Sequence, residues 1–177
     1  MTARTDAVIA GIDRLKLDFL AYLPSSSIAP IIEHFRVRSG LAGSPVAFPI
    51  SREEEGVGIV GGIALAGRRG AMLIQDNGFG NSLTALTTFA IAYNVPLLVL
   101  ANTRGGLGEY NSMIHSFSGR VPAMLDVARI PAFLVDRRNS RDDWSGTVAE
   151  AYRHAEMTHR PVVVLMDFWA PEPAAGI

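Results

Sequence analysis

Residues 71–103 read AMLIQDNGFGNSLTALTTFAIAYNVPLLVLANT, and this stretch decides the fold. Two short apolar runs, at 71–74 and 97–100, enclose a polar turn and a helical pattern over 81–93. Neither run alternates between apolar and polar residues, which is typical of strands that are buried on both faces of a sheet. The segment therefore predicts a strand, a helix and a second strand parallel to the first.

The same alternation of apolar runs and helical patterns continues on both sides of this segment. Further strands are predicted at 46–48, 132–135 and 162–166, and several predicted strands follow a proline, which favours extended structure. Helices are predicted at 5–22, 27–37, 53–67, 81–93, 120–128 and 141–157. This order predicts an α/β fold with three layers, αβα, and a mainly parallel sheet. One domain is predicted over residues 1–170, with a frayed tail at 171–177.

Composition excludes several classes of function. The chain has 177 residues, is 49% hydrophobic and has a net charge of -1, so no basic surface for nucleic acid is expected. Because it contains no cysteine, it has no disulfide, thiolate nucleophile or cysteine-based metal site, which fits a cytoplasmic location. The uncharged stretch 77–103 is interrupted by Asn, Ser, Thr and Pro, so it predicts no membrane span, and no targeting segment is recognised.

Four loops that follow predicted strands are unusually polar or glycine-rich. In parallel sheets, ligands bind beyond the carboxyl ends of the strands, so these loops are where a site is expected. They comprise residues 49–53, 75–82, 102–109 and 136–139. The histidines do not show the spacing of metal ligands, and no metal site is predicted in this chain.

The first of these loops leads into an acidic and glycine-rich helix. Glu53, Glu54 and Glu55 directly precede an apolar segment with glycines at positions 56, 58, 61 and 62. Each glycine inside a helix costs about 1 kcal/mol relative to alanine. The pattern therefore indicates that a backbone or a ligand approaches closely beside an acidic helix start, where a carboxylate is a candidate acid or base.

Three motifs together resemble a known family. They are the run from Glu53 to Ala64, the turn Gly78-Phe79-Gly80-Asn81-Ser82, and the segment from Arg104-Gly105-Gly106 through Gly119-Arg120 to Ile130-Pro131. In this order they resemble the pyrimidine-binding domain of thiamine-diphosphate-dependent decarboxylases. The resemblance covers roughly residues 10 to 168. It is strongest to the alpha subunit of sulfopyruvate decarboxylase and the matching half of phosphonopyruvate decarboxylase.

The resemblance implies roles for residues around the cofactor. The family has a glutamate nine residues before the second residue of a small-Gly pair, and counting back from Gly62 selects Glu53. By similarity, Glu53 is catalytic and hydrogen-bonds the N1′ nitrogen of the thiamine diphosphate aminopyrimidine. Asn77, Gly78 and Asn81 are expected to approach the cofactor or the substrate. The alternative is a simple glycine turn in which Asn81 caps the next helix.

Substrate residues are expected in three loops. Ser26 lies in a loop that faces the substrate in the family, although serines there are also ordinary helix caps. Arg104 offers a fork of donors to a sulfonate or phosphonate, and His115 suits the proton transfer that follows loss of carbon dioxide. A loop histidine can equally be a surface residue. Because Gly106 stands where relatives often have a charged residue, a neutral or differently charged 2-oxo acid also stays open as the substrate.

The resemblance also implies a partner. Family members hold the diphosphate and a divalent metal with a Gly-Asp-Gly motif, which this sequence lacks. A separate beta subunit is therefore expected to bind the diphosphate and Mg²⁺, and the chain is predicted to be the alpha subunit of a hetero-oligomeric decarboxylase for a small, anionic, 3-substituted pyruvate. The alternatives are a subunit of a thiamine-diphosphate carboligase or 2-oxo acid oxidoreductase, and a non-catalytic α/β binding module.

Overall fold

A computed structural model describes residues 2–106 and 109–169. Its helices are α1 (Ala3–Leu15), α2 (Ala29–Val37), α3 (Glu53–Leu65), α4 (Phe79–Ala85), α5 (Ser112–Ser118), α6 (Val121–Val127) and α7 (Arg141–Thr158). Its strands are β1 (Phe19–Tyr22), β2 (Val46–Pro49), β3 (Gly70–Gln75), β4 (Leu97–Asn102), β5 (Ala132–Val135) and β6 (Pro161–Met166). The tail predicted at 171–177 lies outside the described residues.

The strands form one sheet in the order β2-β1-β3-β4-β6-β5, and every neighbouring pair is parallel. Side chains alternate between two apolar layers, as they must along a strand. One layer contains Leu73 and Leu100 and packs on α1, α2 and α7. The other contains Met72 and Val99 and packs on α3, α4 and α6. The predicted three-layer αβα fold with a parallel sheet is therefore confirmed.

The prediction of one helix over residues 5–22 was wrong. Helix α1 ends at Leu15, where Lys16 adopts a left-handed conformation with φ of 50° and donates its backbone N–H to the Asp13 carbonyl. This is a common way for a helix to end, although glycine is its usual residue, so the sequence carried little signal. Residues 19–22 instead form β1, which lies between β2 and β3. Helix α5 was also missed.

Helix α3 accommodates its glycines in two different ways. A Cβ on Gly56 would lie 2.5 Å from Ile50 Cδ1, and one on Gly61 would lie 2.3 Å from Phe89 Cε1. These two glycines therefore allow neighbouring side chains of the same chain to pack closely on the helix. Among the described residues, no atom comes within 4 Å of a Cβ placed on Gly58 or Gly62. Packing inside the chain does not explain this second pair.

The uncharged stretch 77–103 is divided between a helix and a strand. It forms α4, which continues as a π-helical turn over Leu86–Ile91, and then β4. In residues 2–106 and 109–169, none of the helices has both the length and the apolar character needed to cross a membrane. Strand β4 is buried throughout, between β3 and β6, which accounts for the lack of charge there.

Candidate active site

The loops that follow β1, β2, β3 and β4 meet at one edge of the sheet, because parallel strands all end at that edge. Gln75, the last residue of β3, connects several of them. Its side-chain oxygen accepts hydrogen bonds from Ser25 Oγ at 3.1 Å and from Arg104 at 2.9 Å. Its amide donates to Asn77 Oδ1 at 2.5 Å. The strand order therefore assembles a polar cluster from segments that are distant in sequence.

Glu53 is the one carboxylate of its run that turns into this cluster. It is the first residue of α3 and only 9% exposed, and its Oε2 accepts a hydrogen bond of 2.8 Å from the Asn81 amide. Glu54 pairs instead with Arg52 at 2.5 Å, and Glu55 accepts from the Ser51 backbone N–H. A carboxylate at a helix N-terminus is stabilised by the helix dipole. Glu53 is therefore a carboxyl group held in a fixed position at the start of α3.

Gly78 lies directly against the Glu53 side chain. A Cβ at position 78 would lie 2.4 Å from Glu53 Cγ and 2.8 Å from both Cδ and Oε1. Such distances are not tolerated between non-bonded atoms. The backbone at Gly78 has φ of -63° and ψ of -15°, so alanine would fit the conformation itself. The glycine is required because the carboxylate of Glu53 occupies the space that a side chain would need.

Asp76 is a buried residue of this cluster. It is 1% exposed and accepts hydrogen bonds from Ser118 Oγ at 2.8 Å and from the Arg104 backbone N–H at 3.0 Å. Burial raises the pKa of the Asp76 carboxyl, and these hydrogen bonds act in the opposite direction. The same Ser118 hydroxyl also lies 3.3 Å from Oδ1 of the neighbouring residue, Asn77. Asp76 therefore ties β3 to the loop after β4 and to α5.

Arg104 is already paired within the chain. Its Nε donates to Glu109 Oε2 at 2.5 Å, and the two side chains are only 10% and 4% exposed. Its guanidinium also lies 4.9 Å from the centre of the Trp169 ring, in a cation–π contact. The hydrogen bond from Arg104 lowers the pKa of the Glu109 carboxyl, against the effect of burial. The guanidinium is thus held by a carboxylate and an aromatic ring.

His115 and Ser26 are exposed residues on two other segments. His115 is exposed on α5, and its Nε2 donates to the Glu109 backbone carbonyl, which fixes it to the same loop as Arg104. Ser26 is exposed in a separate shallow depression beside Thr2 and Trp169. Of the serines after β1, it is Ser25 that reaches the cluster through Gln75. The predicted site residues thus form two adjoining groups, which the chain joins at Asn77 and Gly78. Glu53 contacts Asn81 and Gly78, whereas Asn77, Arg104 and His115 are connected through Gln75 and Glu109, and Ser26 belongs to neither group.

A cleft opens beside Arg104, between α5, α6 and the ends of β5 and β6. Its volume is about 510 Å³. Asp76, Arg104 and Ser118 line its polar end, and Val121 and Leu165 line its apolar wall. The volume suits a small organic acid, and a concave, largely apolar cleft with a few polar groups is typical of ligand sites. Glu53 does not line this cleft.

Four residues of the polar cluster around Gln75 and Arg104 had no predicted role. They are Gln75, Asp76, Glu109 and Ser118. Gln75 and Asp76 could have been found because they stand at the end of a predicted strand, where ligand-binding residues of parallel sheets collect. The contact of Glu109 with Arg104 has no comparable sequence signal. Within the described residues, no three His, Cys, Asp or Glu side chains form a cluster that could hold a metal ion.

Comparison with known proteins places these motifs in context. No protein-family model matches the chain. The structure is similar to that of a 2-oxoglutarate:ferredoxin oxidoreductase from Magnetococcus marinus, with a TM-score of 0.71 and 18% identity. The match covers 98% of this chain and 31% of that protein. At this identity the similarity shows the fold alone, and it agrees with the predicted pyrimidine-binding fold.

Two curated relatives are similar in sequence. The alpha subunit of sulfopyruvate decarboxylase from Methanococcus maripaludis is 26% identical over 167 residues, which cover 93% of this chain and 96% of that subunit. The phosphonopyruvate decarboxylase of Streptomyces hygroscopicus is 30% identical over 114 residues, which cover 64% of this chain and 27% of that enzyme. The chain is therefore similar over nearly its whole length to sulfopyruvate decarboxylase alpha subunits, and over part of it to phosphonopyruvate decarboxylases, which confirms the resemblance that the motifs indicated.

Proposed function

We propose that the chain is the alpha subunit of a heteromeric, thiamine-diphosphate-dependent decarboxylase that acts on an anionic 3-substituted pyruvate of the sulfopyruvate or phosphonopyruvate type. The observation that carries the proposal is Glu53. It is the one carboxylate of three that turns away from solvent, where Asn81 holds it against Gly78 at the start of α3. The full-length similarity to sulfopyruvate decarboxylase alpha subunits supports the same function.

The residues around Glu53 fit the aminopyrimidine part of the cofactor. When bound, thiamine diphosphate supplies the nucleophilic carbon and the electron sink that decarboxylation of a 2-oxo acid requires. Asn81 engages one oxygen of the Glu53 carboxylate and leaves the second for the pyrimidine N1′. The carboxylate can hold a proton at that nitrogen, and burial strengthens such a hydrogen bond because the local dielectric is low.

We infer that Asn81 acts through Glu53, since it donates to the carboxylate and fixes its orientation. Gly78 gives the carboxylate room, and a flat ring can approach a glycine more closely than any other residue. Asn77 stays a proposed cofactor contact; its side-chain oxygen already accepts from Gln75 and Ser118. The protein's contribution in this half of the site is orientation of one charge.

A beta subunit is proposed to bind the diphosphate and Mg²⁺. The sequence has no Gly-Asp-Gly motif, and the part of the chain that the structure describes has no cluster of metal ligands. The chain matches nearly the whole of a protein named subunit alpha, but only 27% of a phosphonopyruvate decarboxylase. Both comparisons support a site that is completed by further protein.

The outer face of α3 is the proposed surface for that subunit. It begins beside Glu53 and carries the two glycines, Gly58 and Gly62, that packing inside the chain does not explain. Ile59 and Leu65, on or beside this face, are 37% and 65% exposed. Small residues allow a second backbone to approach closely, and exposed apolar side chains gain by burial. The same helix would thus present the catalytic carboxylate and contact the partner.

Substrate contacts are proposed for Arg104, His115 and Ser26. Arg104 reaches the cleft beside the end of β4, and a guanidinium is suited to a sulfonate or phosphonate group. His115 lies on α5, where its backbone is next to Gly105 of the cleft, and a histidine is suited to transfer a proton after carbon dioxide leaves. Ser26 would need to act from its separate depression beside Trp169.

The test is co-expression of the chain with the product of the adjacent reading frame. Carbon dioxide release is then measured with sulfopyruvate, phosphonopyruvate and pyruvate in the presence of thiamine diphosphate and Mg²⁺. We expect release that requires both chains and is abolished by Glu53→Gln without loss of assembly. Glu54→Gln is the matched control, because Glu54 pairs with Arg52 outside the cluster. A complex that releases no carbon dioxide from any of these acids would refute the proposal.

A further inference from the structure

The pair formed by Arg104 and Glu109 is much more buried than a typical surface ion pair in the described residues. Both side chains are almost completely buried, whereas Glu150 and Arg153, an ordinary pair on α7, are 65% and 66% exposed. A buried guanidinium needs a counter-ion, since an isolated charge is very costly in a low-dielectric environment. Glu109 supplies that counter-ion from within the chain.

Glu109 is firmly held where it meets Arg104. Its second carboxylate oxygen accepts from the Asn111 backbone N–H at 3.0 Å, and its carbonyl accepts from His115. Arg104 in turn donates to Gln75 and stacks on Trp169. The guanidinium and the carboxylate are therefore both fixed by neighbours, and the pair is a built feature of the site.

An anionic ligand in the cleft would lie beside Arg104, the member of this pair that lines it. Arg104 is the single cationic side chain among the described residues that line the cleft, and the acidic residues Asp76, Asp126 and Asp167 line it as well. Burial favours the neutral form of Asp76, because it raises the pKa of that carboxyl. Glu109, by contrast, carries the carboxylate that pairs directly with the guanidinium of Arg104. A sulfonate or phosphonate must share Arg104 with it or displace it.

We propose that Glu109 is a specificity-determining residue that competes with the anionic 3-substituent of the substrate for the guanidinium of Arg104. It weakens the binding of doubly charged 2-oxo acids relative to singly charged ones. This inference rests on the proposed function for the identity of the substrate. The competition itself involves only residues of this chain.

The experiment uses 3-sulfopropanoate, which carries a carboxylate and a sulfonate but has no oxo group to react, and propanoate as its singly charged counterpart. Both are titrated calorimetrically into the 177-residue chain and into the assembled complex. Glu109→Gln removes the competing charge, and we expect it to tighten 3-sulfopropanoate binding by about tenfold or more, because a like charge beside the bound sulfonate repels it. Propanoate binding should change by no more than about twofold.

Two further variants serve as a second test and as a control for net charge. Glu109→Asp retains the charge on a shorter stem that holds Arg104 less closely, so it should bind 3-sulfopropanoate more tightly than the wild type does, which keeps the test open if Glu109→Gln folds poorly. Glu150→Gln is the matched control, since it removes an arginine-paired carboxylate from α7 and makes the same change in net charge. Thermal unfolding of each variant is measured first.

The outcomes separate this inference from the proposed function. If 3-sulfopropanoate binds the wild type as tightly as it binds Glu109→Gln, or if Glu109→Gln loses binding altogether, Glu109 only positions Arg104 and the inference is wrong. If Glu150→Gln tightened 3-sulfopropanoate binding equally, the effect would come from net charge alone, and the inference would also be wrong. If Glu109→Gln binds 3-sulfopropanoate more tightly than the wild type does, but the complex decarboxylates no 2-oxo acid, the competition is supported and the proposed function fails.

Discussion

Gly78 offers the most direct test of how the chain positions Glu53. In Gly78→Ala the new Cβ would lie 2.4 Å from Glu53 Cγ, whereas non-bonded carbons settle at about 3.5–4 Å. The Glu53 side chain must therefore move by more than about 1 Å. A displacement of that size in a catalytic group costs on the order of 100-fold in rate. We expect the assembled complex to lose about that much kcat.

The substitution isolates the steric effect. The backbone at Gly78 is helical, so alanine introduces no conformational strain, and overpacking is expected to cost about 1–3 kcal/mol of stability. Thermal unfolding and assembly with the beta subunit are measured alongside kcat to exclude loss of the fold. Gly80→Ala is the matched control two residues further on, in helix α4. Its Cβ would meet the Phe117 ring at 3.0 Å, and Glu53 is not among its nearest neighbours.

Two results would contradict the reasoning. A Gly78→Ala complex that turns over at nearly the wild-type rate would mean that the Glu53 carboxylate does not need its observed position. Equal impairment of Gly80→Ala would mean that any added bulk in this turn is harmful. In either case the contact between Gly78 and Glu53 would lose its proposed role.

Three further predictions concern the partner surface, a buried carboxyl and the cofactor. Gly58→Ala and Gly62→Ala should each raise the free energy of unfolding of the chain by up to about 1 kcal/mol while weakening assembly with the beta subunit, measured by denaturant unfolding and sedimentation. Gly61→Ala, which would meet Phe89, should not stabilise the chain, and undiminished assembly of the first two variants would argue against this surface. Burial raises the folded-state pKa of Asp76, so the stability it contributes is fully present below about pH 4 and is lost as the pH rises through that raised value. Asp76→Asn should remove this part of the pH dependence of stability. If the free energy of unfolding of the wild type and of Asp76→Asn changed identically with pH, the prediction would be wrong. Finally, the chain without its partner should bind thiamine diphosphate weakly or not at all in calorimetric titration, and sub-micromolar affinity would be incompatible with a divided site.

Most of the fold could be predicted because its signals are local. Apolar runs without alternation identified β2 to β6, and the prolines before several of them marked where extended structure begins. Strand β1 was missed because the apolar pattern of α1 continues into Phe19 and Leu20, and Lys16 ends the helix without the usual glycine. Helix α5 carried a weak signal in Asn111, whose side chain caps it by accepting from the Met113 N–H.

The site was predictable only in part. Its location at the carboxyl ends of the strands follows from a parallel sheet, and the resemblance to decarboxylases selected Glu53, which stays a predicted catalytic residue. The partner of Arg104 was not predictable, because a carboxylate five residues away can point in any direction from a loop. The contact of Ser25 with Gln75 was hidden for the same reason.

The sequence by itself determined the alternation of strands and helices, the acidic start of α3 and the absence of a Gly-Asp-Gly motif. These are properties of short segments, and the backbone and side-chain preferences that express them act over a few residues. The tertiary structure decided which loops meet. Asn81 reaches Glu53 across 28 residues, and Arg104 reaches Gln75 across 29 residues. Such contacts depend on the order of strands in the sheet, which is fixed only when the two apolar layers pack around it.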